Sequence, residues 1–144
     1  MPKQIKLQLD LKQQSFLKSN KPESFQIKNI VEESIKQHEF IDKSQRKLIN
    51  LNLKDDFIIK SDEYLMIFLL TNLLEKALQS KATEINIWLS AQKKHLYFKA
   101  LGNFLDDNKI QIDLNFYQIA MKDLGGDIAV KFIGSSGLEF CFSF

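Results

Sequence analysis

The chain has 144 residues, 44% hydrophobic and 26% charged, with a formal net charge of +2. That length makes one domain able to bury roughly two-thirds of its unfolded surface, and with only two prolines and five glycines beside twelve Phe, three Tyr and one Trp the chain is not disordered. A single cysteine, Cys141, excludes an internal disulfide, no Cys/His spacing suits zinc, and the longest apolar run, Tyr64–Leu70, falls far short of the roughly 20 residues of a membrane helix. Met1–Asp10 carries no apolar block of the signal-peptide kind, so a soluble protein of a reducing, cytoplasmic compartment is expected, without membrane contact.

Taken in chain order, Ile5, Leu7, Leu9 and Leu11 alternate with polar residues, the period of a half-buried strand. Asn20-Lys21-Pro22 is a turn signal, so residues 1–22 form an arm and linker ahead of a main domain over 23–144. Ser24–Ile27 suits a short strand, and Ile30, Val31, Ser34, Ile35 and His38 lie near one face of a following helix. Leu48, Leu51 and Leu53, then Phe57, Ile58 and Ile59 after the Lys54-Asp55-Asp56 turn, read as a β-hairpin. Ser61 is the expected N-cap of a long helix running to about Gln79, apolar nearly all round between Leu65 and Leu74 and therefore central. Glu84–Ala91 and His95–Leu101 alternate as a second hairpin. A third helix is expected over about 111–124, ending at Gly125-Gly126, before a last hairpin of Asp127–Ile133 and Leu138–Phe144. Hairpins with three helices between them predict an α+β chain, a two-layer sandwich with a mixed, mostly antiparallel sheet and the helices on one face.

Two stretches carry a resemblance. Asp62-Glu63, an apolar run and Thr71-Asn72-Leu73-Leu74-Glu75-Lys76-Ala77 resemble the N-box of sensor histidine kinases, N-L-L-x-N-A. Ile119-Ala120-Met121, Leu124-Gly125-Gly126-Asp127-Ile128 and Gly134-Ser135-Ser136-Gly137-Leu138-Glu139-Phe140 resemble that family's closing segment. The resemblance covers about 24–144. It implies the histidine kinase ATPase (Bergerat) type of sandwich, shared with gyrase and the mismatch-repair protein MutL, and a place in two-component signalling.

Against that pattern the nucleotide-binding positions depart one after another. Asn72 keeps the first N-box asparagine, but the second, the family's magnesium ligand, falls on Lys76, where a cation would repel Mg²⁺. Leu65, Leu69, Asn72 and Lys76 share a helix stripe, which turns Lys76 toward the pocket position. The aspartate of the family's D-x-G-x-G box, which reads the adenine amino group, falls on Ala100, which accepts no hydrogen bond. One glycine of that box remains as Gly102 and the other is Phe104. The second glycine box aligns with Gln111-Ile112-Asp113-Leu114, placing the acid Asp113 where phosphate would lie. Five residues between Leu105 and Gln111 leave no room for the long lid of the family. What remains is a vestigial nucleotide pocket of Asn72, Lys76, Ala100, Gly102 and Asp113, with no catalytic residue, metal or cofactor expected. ATP and Mg²⁺ belong to the alternative reading, a kinase or ATPase with rearranged ligands.

The other chemistries are weaker. His38-Glu39 copies the start of a phosphoacceptor box, yet lies only 34 positions before Asn72, on the domain's own first helix, and His95, opening a strand after Lys93-Lys94, reads as a residue of that turn. Cys141 between Phe140 and Phe142 reads as a buried or edge thiol. Nineteen of the twenty basic residues are Lys, and only Arg46 supplies a guanidinium fork, so nucleic-acid readout is not favoured, though a regulator of that kind stays open. The expectation is a non-catalytic, pseudokinase-like regulatory module whose partner is a sensor kinase or a response regulator. Interface candidates are Ile5, Leu7, Leu9 and Leu11, which must pair with a sheet edge or with the arm of a second subunit, the homodimer being preferred, and Trp88, which points away from Ile85, Ile87 and Leu89.

Overall fold

The computed structural model describes residues 23–38, 43–102, 114–134 and 136–144. The arm residues Ile5, Leu7, Leu9 and Leu11, together with Glu39, Phe104, Gln111 and Asp113, lie outside the described residues. The elements in order are β1 (Glu23–Gln26), α1 (Ile27–Gln37), α2 (Lys43–Lys47), β2 (Ile49–Asn52), β3 (Ile58–Ser61), α3 (Glu63–Gln79), β4 (Glu84–Ser90), β5 (His95–Leu101), α4 (Leu114–Asp123), β6 (Asp127–Ile133) and β7 (Gly137–Ser143). The fold is α+β. A five-stranded sheet runs β2-β4-β5-β7-β6, antiparallel except for the β2–β4 pair, and β1 and β3 form a separate antiparallel pair.

One face of the large sheet is buried. Ile85, Ile87 and Leu89 of β4, Leu96, Phe98 and Ala100 of β5, and Leu138, Phe140 and Phe142 of β7 all point into it, as period-two alternation requires. They share one core with Leu65, Met66, Ile67, Leu69, Leu70, Leu73, Leu74 and Ala77 of α3, the central helix that the apolar run predicts. Phe98 and Phe140 meet edge-on at 6.1 Å in the middle of this layer.

The hairpin expected from Leu48 to Ile59 does not form. β2 adds in parallel to β4, and β3 pairs with β1. The turn residues explain the split. The Asp56 carboxylate accepts from the Lys28 backbone N–H, the Phe57 carbonyl accepts from Ile27 N–H, and the Asp55 carboxylate accepts from Ala91 N–H. The Lys54-Asp55-Asp56 segment thus bonds outward, to the start of α1 and to the β4–β5 turn, instead of closing β2 onto β3. A short fourth helix, α2, adds to the three expected.

The start of α3 is also shifted by one residue. Asp62, not Ser61, is its N-cap, with the carboxylate accepting from Leu65 N–H at 3.1 Å. Ser61 is the last residue of β3, and its buried hydroxyl donates to the Leu124 carbonyl. At the far end of α4, Gly126 N–H donates to the Met121 carbonyl and Gly125 N–H to the Lys122 carbonyl, a Schellman close with Gly125 at φ +82°.

Candidate functional site

α3 carries Asn72 and Lys76, the first two positions expected of the pocket. Asn72 is half-buried, and its side-chain oxygen accepts a 2.6 Å hydrogen bond from the Tyr117 hydroxyl of α4. Tyr117 is buried, and loss of solvent pushes its phenol well above the usual tyrosine range, so it stays neutral and donates. Phe116 beside it meets Phe68 edge-on at 6.3 Å, which fixes the approach of α4 to α3 one turn before Asn72. Lys76, one turn after Asn72, is half-buried in the last turn of α3, where its charge complements the helix C-terminus.

Ala100 and Gly102 stand together at the end of β5. Ala100 is 0% exposed, paired across the strands with Ile85 and Leu138, so apolar side chains flank its methyl group on both sides. This end of the strand is tied down twice: Gly102 N–H donates to the Ser136 carbonyl at 2.8 Å, and Thr83 N–H to the Leu101 carbonyl at 2.8 Å. The structure therefore brings Asn72 to Tyr117 and sets Ala100 next to Gly102. Asp113, the fifth position expected of the pocket, is not among the described residues. Sequence reasoning missed Tyr117, which reads there as one more apolar position of an amphipathic helix.

A separate cleft of about 380 Å³ opens between the end of α1, α2 and the next face of α3, lined by Gln37, His38, Gln45, Thr71, Glu75, Leu78 and Gln79. His38 is the C-cap of α1, in extended backbone, and is half-buried there. No group of three or more His, Cys, Asp or Glu among the described residues is placed to hold a metal ion.

The opposite face of the sheet carries Trp88, Tyr97, His95 and Cys141. Trp88 is half-buried and lies flat against Tyr97 at 5.0 Å. His95 opens β5 directly after the turn, as expected, and its Nδ1 is 3.0 Å from the Tyr97 hydroxyl and 3.4 Å from Cys141 Sγ. Cys141 is neither fully buried nor on an edge strand: Phe140 and Phe142 point inward, so the residue between them points out. Partial burial raises the Cys141 thiol pKa, and the Glu139 carboxylate raises it further, the reverse of an activated nucleophile.

Solved structures share this architecture. The cytoplasmic segment of histidine kinase QseC matches over 98% of this chain and 85% of its own, with 14% identity and a TM-score of 0.66. The fold is that of a histidine kinase ATP-binding domain. The histidine kinase domain of the E. coli osmosensor EnvZ matches over 86% of this chain and 89% of its own, at 12% identity and a TM-score of 0.63. The ATP-binding domain of PrrB from Mycobacterium tuberculosis matches over 87% and 97%, at 10% identity and a TM-score of 0.61. Histidine kinase ThkA, solved in complex with the response regulator protein TrrA, matches over 84% of this chain and 40% of its own, with 16% identity and a TM-score of 0.60. No protein-family model and no curated protein matches the sequence. No helix among the described residues is long and apolar enough to cross a membrane.

Proposed function

We propose that this domain is a non-catalytic, pseudokinase-like binding module of a two-component or related signalling pathway, with a histidine kinase ATPase fold whose nucleotide pocket has been given up. The observation that carries this reading is the hydrogen bond from Tyr117 to Asn72. The asparagine at the first N-box position is already engaged from inside the protein, one lone pair of its side-chain oxygen taken by a buried phenol that stays protonated.

The neighbouring positions do not fit Mg²⁺-ATP either. A cation, Lys76, stands at the magnesium-ligand position, and Ala100 offers a base no acceptor and sits in an apolar setting. With those groups changed, what the fold still offers is its surface, and function is argued from sites, not from fold. ThkA's solved complex with a response regulator supports a protein partner of that class, ahead of a sensor kinase.

Thermal unfolding with and without an ATP analogue and Mg²⁺ tests the reading. A ligand that binds only the folded state at a hundred times its Kd adds about 2.7 kcal/mol, several degrees for a domain of this size. No shift at millimolar nucleotide is expected. A shift of several degrees would favour the kinase or ATPase alternative, with Lys76 serving a phosphate group.

A further inference from the structure

We infer that the free edge of β6 is a self-complementary interface, at which two copies of this chain join their sheets across a two-fold axis through Ala129. Among the described residues β6 is paired on one side only, with β7, over seven residues in unbroken register. It has no proline and no bulge to blunt that edge, its charges Asp127 and Lys131 are of opposite sign, and near its end it carries Phe132, which is 76% exposed. Phe132 lies on the same side of the sheet as Ile128 and Val130, so it extends the apolar face outward past the covering helices.

The occupant follows from the order of charges. On the outer face the register places Lys99 opposite Glu139 and Glu139 opposite Lys131, a row of alternating sign that stops at the β6 edge. Antiparallel pairing of β6 with itself about Ala129 sets residue 127 of each copy opposite residue 131 of the other. Asp127 of the second copy then continues the row as Lys99, Glu139, Lys131, Asp127, and the two-fold repeats it in the other direction. On the inner face the same register puts Ile128 opposite Val130, and brings Phe132 beside Gly126, which has no side chain to displace. One register satisfies both faces, and the result is a continuous ten-stranded sheet.

Sedimentation or light scattering of the full-length chain tests this, because the pairing makes a cross-complementation prediction. Asp127→Lys and Lys131→Asp each place like charges opposite one another twice per dimer, and each is expected to weaken self-association about tenfold. Mixing the two variants, or combining both changes in one chain, restores opposite charges at both 127–131 positions of the seam, with the new carboxylate at position 131 still facing Glu139 inside its own sheet, and is expected to restore the dimer. Lys131→Gln, milder beside Glu139, is expected to give a partial loss if Lys131→Asp fails to fold. A wild-type chain that stays monomeric at its highest soluble concentration overturns the inference. So does a dimer indifferent to both single reversals, or a mixture of the two variants that remains monomeric.

Discussion

The Ser61 hydroxyl donates to the Leu124 carbonyl at 2.8 Å, joining two buried residues 63 positions apart. This bond fastens the end of β3 to the turn that closes α4, so the small sheet and the last helix are held at one point. Ser61→Ala leaves that carbonyl buried and unpaired, and is expected to lower stability by about 1–3 kcal/mol. Urea unfolding should show the midpoint falling with the slope unchanged. Asp62→Ala should cost about 1 kcal/mol for a different reason, the loss of the α3 cap.

The adjacent glycines of the Gly125-Gly126 turn separate into two roles. Gly125 needs its positive φ, but a Cβ there would meet nothing within 4 Å, so Gly125→Ala is expected to cost only about 1 kcal/mol. A Cβ at Gly126 would overlap the Ser143 carbonyl oxygen, which is backbone and cannot swing away. Gly126→Ala is therefore expected to cost about 3 kcal/mol and to loosen the end of β7. Melting temperatures of the two variants, measured side by side, check the order.

Tyr117 gives the domain an alkaline limit. Its pKa is raised in the folded state, so the unfolded chain loses the phenolic proton first. The stabilisation is complete below the ordinary tyrosine pKa of about 10, and is lost as pH rises above it. Tyr117→Phe should flatten the fall in stability above pH 10. At neutral pH it should cost only about 0.5–1.5 kcal/mol, because half-buried Asn72 regains water. Urea midpoints at neutral and alkaline pH, compared between the two proteins, measure both effects.

Much of this architecture is legible in the residues themselves. The strict alternation in β4, β5 and β7 and the apolar run of α3 leave little choice of face, and both are found as expected. The partners of β2 and β3 are not legible. Both are four-residue strands of similar make-up, and what separates them is a set of bonds from Asp55, Asp56 and Phe57 to residues about thirty positions away in either direction. The same holds at the candidate site. Motif order singles out Asn72, Lys76 and Ala100 as candidates, but only the folded chain brings the Tyr117 hydroxyl to a residue 45 positions earlier.

The pocket reading can be challenged by restoration. Ala100→Asp places a carboxylate between Ile85 and Leu138 with no donor opposite, and should cost about 3 kcal/mol or more. In Lys76→Asn/Ala100→Asp a nucleotide base could supply that donor. An ATP analogue with Mg²⁺ is therefore expected to raise the melting temperature of the double variant and not of the wild type. Nucleotide that stabilises the wild type, with or without Asp at position 100, would count against the assignment of these positions.

The one parallel pairing in the large sheet also marks where that sheet is held most lightly. β4 with β5 and β6 with β7 are local hairpins that can close early, whereas β2 reaches β4 only after β3 and the whole of α3 have been laid down between them. β2 is a four-residue strand bonded, among the described residues, to β4 alone, and is therefore the first to fray. In native-state hydrogen exchange the amides of residues 49–52 should open at a lower free energy than those of β5 and β7, which makes this flank the weak seam of the domain.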